Sequence, residues 1–142
     1  MQPNSLAEDQ RAALRRLQRA QLAEARRIRQ AVADGYALAP AQFRCPGRRA
    51  TLAEARQVAM WLMRMRMRWP TPARNRAFPC ARIGRLLGGR DHSTVLHGVA
   101  VITARLSSGR EEDASLRHMI DALAATLDAA DEGAEAPRRH AA

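Results

Sequence analysis

The stretch of sequence that decides the fold is residues 83–98, IGRLLGGRDHSTVLHG. Ile83 and Leu87 lie four residues apart, as on the apolar face of a short helix over residues 80–87, and the double glycine after them is typical of a tight turn. Asp91 is a good N-cap for a second helix that ends near residue 107. The apolar residues of that helix recur at helical spacing: Val95, Val99, Ile102 and Leu106.

The first turn of the second helix is polar, which predicts a helix-turn-helix that reads DNA. In such motifs the second helix enters the major groove and presents its N-terminal side chains to base edges. Asp91 can accept a hydrogen bond from a cytosine amino group, and His92 and Ser93 can donate or accept. Thr94 offers both a hydroxyl and a methyl group.

Further helices are predicted on both sides of this pair, so we expect an all-α fold with an extended N-terminal helix. Ser5 and Glu8 form a capping box ahead of a helix over about residues 6–34. Thr51 and Glu54 form a second box ahead of a helix of about four turns. Strand-like alternation is almost absent.

Two segments between the helices are predicted to be irregular. The first, residues 36–49, contains prolines and a glycine and carries Arg44, Arg48 and Arg49, which a loop can present without burying them. The second, residues 64–78, mixes arginines with methionines and a tryptophan ahead of two prolines. It has two interpretations, a frayed helix end with a solvated loop or an arm that touches nucleic acid or a membrane.

The basic charge is concentrated in one third of the chain. The formal net charge is +10 over 142 residues, and it divides into +3 for residues 1–34, +11 for residues 44–90 and −4 for residues 91–142. A localised positive field is the footprint expected of a protein that binds a polyanion. All 24 basic residues are arginine, which suits contacts to phosphate and guanine but equally suits a GC-rich genome.

Several classes of function are disfavoured. Asp91, His92 and Ser93 are consecutive at a helix start and point in different directions, so they cannot form a hydrolase triad, and we expect no enzymatic activity. Cys45 and Cys80 lack zinc-site spacing and are expected to be free thiols, and we expect no metal, cofactor or small-molecule substrate. No stretch has the length of a membrane span or the pattern of a signal peptide, so we expect a cytoplasmic, nucleoid-associated protein.

Residues 88–98, GGRDHSTVLHG, resemble the signature of the C-terminal DNA-binding domain of the bacterial replication initiator DnaA. The similarity continues in EARQVAMWLMR at residues 54–64, in IGRLLGG at residues 83–89 and, more loosely, in IRQAVADGY at residues 28–36. The resemblance implies a Trp-repressor-like helical domain over residues 28–127 that recognises the initiator's DNA box in duplex DNA.

The resemblance also implies roles for individual residues. The positions that match base readers are Arg48, in the minor groove, and Asp91, His92, Ser93 and Thr94, in the major groove. The positions that match contacts to the DNA backbone are Arg49, Arg56, Gln57, Arg90 and His97. Arg49 could exchange roles with Arg48, because the match through the preceding loop is loose.

Three departures from the family pattern affect these expectations. Ser93 replaces a frequent threonine and so lacks a methyl group, and Ala81 replaces a usual proline. The segment before the motif is several residues longer than is typical and could add a contact surface. Without lysine the sequence contains no Gly-x-x-x-x-Gly-Lys-Ser/Thr phosphate loop, so we expect it to act without the initiator's ATPase domain.

The predicted organisation is a basic helical extension over residues 1–27, the DNA-binding domain over residues 28–127 and a disordered tail over residues 128–142. The extension displays Leu14, Leu17 and Leu22, which either pack on the domain's own core or bind a protein. The expected partners are double-stranded DNA and, as an alternative, the full-length initiator or its regulators. A transcriptional regulator and a protein that binds acidic membrane surfaces are the other hypotheses.

Overall fold

A computed structural model describes residues 3–46 and 49–139 of the protein, with side chains over residues 5–46 and 49–133. The described residues form an all-α fold with one short two-stranded sheet, which confirms the expected fold class. In chain order the elements are α1 (Pro3–Gly35), α2 (Ala50–Arg66), β1 (Arg68–Pro70), β2 (Asn75–Ala77), α3 (Cys80–Leu86), α4 (His92–Ser107) and α5 (Ala114–Arg139). Short 3-10 turns occupy Pro40–Arg44 and Glu111–Asp113.

Helix α2 lies at the centre of the molecule and packs against α1, α3 and α4. Its contact with α4 is unusually close at Gly98, where an added Cβ would lie 2.7 Å from Met60 Sδ. The core around it is formed by buried apolar residues from every helix, among them Ile28, Val32, Leu62, Met63, Ile83, Val95, Ile102, Leu116 and Leu127. The helices that carry the predicted DNA-reading residues therefore rest on a shared core.

Residues 64–78 form an ordered hairpin after the end of α2, so the frayed helix end with a solvated loop is wrong, and the segment is not a free arm. Strands β1 and β2 make an antiparallel hairpin in which Trp69 lies opposite Arg76. Met67 and Trp69 are buried, at 1% and 4% exposure, and the Trp69 ring packs edge-on against Phe78. Met67 and Trp69 are therefore packed in the core and do not face solvent, whereas Met65 is 49% exposed.

The helix ends differ from the sequence prediction in two places. Helix α1 begins at Pro3, so Ser5 lies inside the helix, and α2 begins at Ala50 with Arg49 in the N-cap position. The predicted capping boxes at Ser5 and Thr51 are therefore wrong. Asp91, in contrast, is the N-cap of α4 as expected.

Helix α5 continues to Arg139 through most of the segment that was expected to be disordered. Two ion pairs join its later turns to the rest of the fold, Arg66 to Asp128 at 2.6 Å and Arg27 to Asp131 at 2.5 Å. Alanine and charged residues in this segment also favour a helix. Residues 140–142 lie outside the described part of the chain.

The predicted boundary at residue 27 falls inside α1, which crosses it without a break. Gln18 Nε2 donates to the Pro70 carbonyl at 3.0 Å, and the Arg68 amide donates to Gln21 Oε1 at 3.1 Å. Ala25 is fully buried. The second half of the extension is therefore packed on the domain.

None of the described helices has the length and apolar character required to cross a lipid bilayer.

Candidate nucleic-acid interface

The turn between α3 and α4 is closed around a single carbonyl group. The Gly84 carbonyl accepts hydrogen bonds from the amides of Leu87, Gly89 and Arg90 at 2.9 to 3.2 Å. Gly88 and Gly89 have φ angles of +96° and +77°, a region that glycine enters without steric cost. An added Cβ at Gly84 would lie 1.9 Å from the Arg90 carbonyl oxygen, so the turn folds back tightly onto α3.

The turn leaves the first residues of α4 in solvent. Asp91, His92, Ser93 and Thr94 are all exposed, while Val95 is fully buried and anchors the helix. The Thr94 amide donates to Asp91 Oδ1 at 2.8 Å, and this hydrogen bond lowers the pKa of the Asp91 carboxyl below its usual value. Asp91 therefore carries a negative charge at neutral pH and works as a helix cap and as a potential hydrogen-bond acceptor.

Two more exposed side chains extend this face of α4 beyond the first turn. His97 is exposed and lies four residues after Ser93, on the same side of the helix. Leu96 lies four residues after His92 and is 50% exposed, which is unusual for a large apolar residue. Sequence analysis missed Leu96, although its position four residues after the polar His92 could have identified it.

The loop before α2 is docked against the same turn. Phe43 is fully buried and holds the 3-10 turn Pro40–Arg44 in place, while Arg44 and Arg49 are exposed. An added Cβ at Gly88 would lie 2.8 Å from Arg44 Cα, so the backbones of the loop and the turn are in contact. Arg48, the predicted minor-groove residue, lies outside the described residues.

Arg56 is placed differently from the exposed phosphate contact that we expected. It is 6% exposed, and its Nε donates to the Phe43 carbonyl at 3.3 Å. Its Nη2 donates to the carbonyls of Gln42 and Cys45. Burial lowers the pKa of its guanidinium, and the nearby charge of Arg90 lowers the pKa further. Arg56 therefore binds the loop from the inside of the molecule.

The other predicted backbone contacts lie near the motif but are not equally accessible. Arg90 is half-buried, and its Nη2 donates to the Cys45 carbonyl at 3.4 Å. Arg56 donates to the same carbonyl oxygen. Gln57 is half-buried beside α4, with its Cγ 3.3 Å from an added Cβ at Gly98. Arg49 and His97 are the predicted backbone contacts whose side chains are exposed.

Arg29 is a cation near the motif that sequence analysis did not single out. Its Nη1 donates to the Leu86 carbonyl at 3.0 Å, which satisfies a free carbonyl at the end of α3. Burial lowers the pKa of Arg29, and the positive charges of Arg44 and Arg26 lower it further. Helix α1 thus adds positive charge next to the loop and the turn.

The far end of α4 is fixed by a network of charged groups. Arg105 pairs with Glu54 and with Asp113, each at 2.8 Å, and Tyr36 donates to Glu54 Oε2 at 2.8 Å. Hydrogen bonds from Arg105 and then from Ser108 lower the pKa of the Asp113 carboxyl. These contacts join α4 to α1, α2 and the start of α5, so the orientation of the exposed first turn is held from its opposite end.

Comparison with known proteins places this arrangement in a family. The model of the bacterial DnaA protein helix-turn-helix matches residues 25–102, which includes α2, the loop, the hairpin and the α3–α4 motif. The chain is 36% identical over 100 residues to the chromosomal replication initiator proteins DnaA of Paraburkholderia phymatum, Burkholderia multivorans and Caulobacter vibrioides.

These matches cover 70% of this chain but 17% to 18% of the relatives, so the chain spans less than a fifth of the length of the curated relatives it matches. The matched part of the chain holds the tight glycine turn and the exposed polar turn of α4 described above. The chain belongs to the bacterial DnaA helix-turn-helix family.

Proposed function

We propose that this protein binds double-stranded DNA sequence-specifically, at sites like the DNA box of the DnaA initiator, and so regulates the initiation of chromosomal replication. The observation that carries the proposal is the exposed first turn of α4, Asp91 to Thr94, in a chain of this family. The relatives are named as chromosomal replication initiators, and DNA is the ligand on which a helix-turn-helix of such a protein would act.

In this proposal α4 enters the major groove with its N-terminus. Asp91 Oδ1 is used by the helix cap, which leaves Oδ2 to accept from a cytosine amino group. His92, Ser93 and Thr94 contact neighbouring base edges, and Leu96 offers an apolar surface to a thymine methyl group. Arg48 reads the minor groove, and Arg44, Arg49 and His97 bind phosphates or sugars on either side.

Replacing His92 with alanine is expected to reduce affinity for a DnaA-box duplex about 10- to 100-fold, because one good base contact is worth roughly 1–3 kcal/mol of discrimination. Affinity for a scrambled duplex should change less than twofold, since that binding depends on phosphate contacts. Fluorescence anisotropy with both duplexes at several salt concentrations measures the two effects. Ser107→Ala, at the exposed far end of α4, is the matched control and should bind as the wild type does.

If the wild-type protein binds both duplexes equally, with a steep dependence on salt, the proposal of sequence-specific binding is wrong and only phosphate binding remains. A map of the protein's positions on the chromosome would separate a replication role from a transcriptional one. Enrichment at the replication origin is expected, and enrichment confined to promoters would favour a transcriptional regulator. We propose no enzymatic activity and no cofactor.

One observation supports a second function, an adaptor that binds the full-length initiator or its inactivator. Leu6 and Leu17, in the first half of α1, are 66% and 57% exposed, whereas Leu14 is half-buried and Leu22 packs against the core. An adaptor would lose partner binding in the double variant Leu6→Glu/Leu17→Glu while it kept DNA affinity within twofold. Co-purification with the tagged initiator, beside the anisotropy assay, checks this. Unchanged partner binding in that variant would show that Leu6 and Leu17 do not bind the partner.

A further inference from the structure

The hairpin before α3 is a fixed platform. Thr71 closes its turn, because the Thr71 amide and hydroxyl both donate to the Arg74 carbonyl, at 2.9 and 2.7 Å. Gln18 and Gln21 of α1 hold β1 from one side. On another side the Arg82 guanidinium lies 4.0 Å from the centre of the Trp69 ring, a cation–π contact. Side chains on the hairpin are therefore held in a defined position relative to the helix-turn-helix.

Arginines line an open groove where the hairpin meets α3. The groove is lined by Arg64, Arg74, Arg76, Ala77 and Pro79, and we call it the hairpin groove. Arg64 is held at its edge by a 2.7 Å hydrogen bond from Nη1 to the Phe78 carbonyl. Arg74 and Arg76 are exposed.

The positive charge of the hairpin groove is not balanced by acidic groups. Within the described part of the chain, Arg64, Arg74, Arg76 and the neighbouring Arg85 form no ion pair, whereas Arg27, Arg66, Arg105 and Arg110 do. The charges of Arg85 and Arg76 add to burial in lowering the pKa of Arg82, as expected when cations repel one another. Repulsion within such a cluster destabilises the protein on its own, and a bound anionic partner would relieve it.

The hairpin groove lies at the outer end of α3, because Ala77 and Pro79 directly precede that helix. In a helix-turn-helix, the helix before the recognition helix crosses the DNA backbone. Helix α3 has seven residues, so its outer end lies about 10 Å from the turn that leads into α4. The groove is therefore placed to meet the strand outside the base pairs that α4 reads.

We propose that the hairpin groove binds the sugar-phosphate backbone of duplex DNA that flanks the recognised site, with Arg74 and Arg76 as the main contacts. This inference rests on the proposed function, since it takes the orientation of α4 from it. Anionic lipid is the competing polyanion, and it is disfavoured because two of the three large apolar residues that a bilayer would take up, Met67 and Trp69, are buried, which leaves Met65 alone exposed among them. The longer segment before the motif then enlarges the DNA footprint.

The test compares two duplexes that contain the same box, one ending two base pairs beyond it and one with flanks of ten base pairs. The double variant Arg74→Gln/Arg76→Gln should bind the long duplex about 5- to 20-fold more weakly and the short duplex within twofold of the wild type. On the long duplex, the slope of log affinity against log salt should fall by about 2, for two lost phosphate contacts. Neither side chain has a hydrogen-bond or ion-pair partner among the described residues, and their removal relieves charge repulsion, so the melting temperature should not fall.

Arg110→Gln/Arg117→Gln removes the same charge beyond the far end of α4 and is the matched control, expected to leave both affinities within twofold. Equal losses on the two duplexes, or no loss on the long one, would overturn the proposal. So would a variant that keeps its DNA affinity but no longer floats with vesicles of phosphatidylserine and phosphatidylcholine. The wild type could bind box and scrambled duplexes equally while the double variant still loses affinity for the long duplex. That result would support DNA binding by the hairpin groove and would contradict sequence-specific binding.

Discussion

Replacing Gly84 with alanine is expected to destabilise the protein by about 3 kcal/mol or more, which is a large part of the stability of a small domain. Inside a helix, alanine is ordinarily better than glycine by up to about 1 kcal/mol. Here the new Cβ would lie 1.9 Å from the Arg90 carbonyl oxygen, a backbone atom of the turn. Relieving this overlap requires a shift of roughly 1.5 Å, since uncharged atoms pack at about 3.5 Å. The steric cost therefore exceeds the gain in helix propensity.

The same shift would displace the first turn of α4, because the Gly84 carbonyl accepts hydrogen bonds from the amides of Leu87, Gly89 and Arg90. We expect thermal unfolding to move down by about 10 °C and specific DNA affinity to fall more than 100-fold. Gly133→Ala is the control, since it lies in α5 with no atom within 4 Å of an added Cβ, and it should be neutral or slightly stabilising. A Gly84→Ala protein with unchanged melting temperature and affinity would show that the turn is not packed as described.

Replacing Arg56 with glutamine is expected to lower the free energy of unfolding by about 2 kcal/mol and affinity for the DnaA-box duplex by about 10- to 30-fold. Arg56 is buried and donates to the carbonyls of Gln42, Phe43 and Cys45, each of which would lose this donor. We propose that Arg56 is a positioning residue, which acts on DNA through the loop that carries Arg48 and Arg49.

Arg56→Lys separates this role from a direct phosphate contact. A lysine keeps the charge and would restore a phosphate contact, but its single ammonium group cannot reproduce the fork that bonds the loop carbonyls. We therefore expect Arg56→Lys to melt at a lower temperature than the wild type even without DNA. The matched control is Arg49→Gln, an exposed cation at the start of the same helix, which should weaken DNA binding without lowering the melting temperature. Full rescue of both stability and affinity by lysine would contradict the positioning role.

The helix-turn-helix was predictable from sequence because each of its signals is local. Ile83 and Leu87 mark the buried side of α3, Asp91 caps α4, and the two glycines between them have the positive φ angles that make the turn. The exposure of the first turn of α4 followed from the same pattern. Neither the contact of Gly88 with the loop nor that of Gly84 with Arg90 has a sequence signature, because each depends on how separate segments meet.

The hairpin was missed because helix and strand signals overlap in its sequence. Met67 and Trp69 are buried and Arg68 is exposed, a period of two that is typical of a strand. The same residues directly follow the helical pattern of α2, and Pro70 in the run argued against a strand. The strand is stabilised by a tertiary contact with α1, because Gln18 and Gln21 form hydrogen bonds with the hairpin backbone.

Arg56 shows a different limit of sequence reasoning. It lies four residues after Leu52 and four before Met60, on the buried stripe of α2, so its spacing indicated an inward side chain. The residue type indicated an exposed side chain, since arginine is rarely buried without partners. Those partners are carbonyls of a loop that begins more than ten residues earlier in the chain, and their position could not be read from the sequence.

If the proposed function holds, the contact between Gly88 and the backbone of Arg44 is expected to make the reading of the two DNA grooves cooperative. A side chain in the minor groove and one in the major groove are usually treated as independent contributors to affinity, whose mutational costs add. Here the 3-10 turn Pro40–Arg44 touches the turn before α4, so a displacement of one is expected to be transmitted to the other. A double-mutant cycle that pairs Arg48→Gln with His92→Ala should therefore give a non-additive loss of affinity.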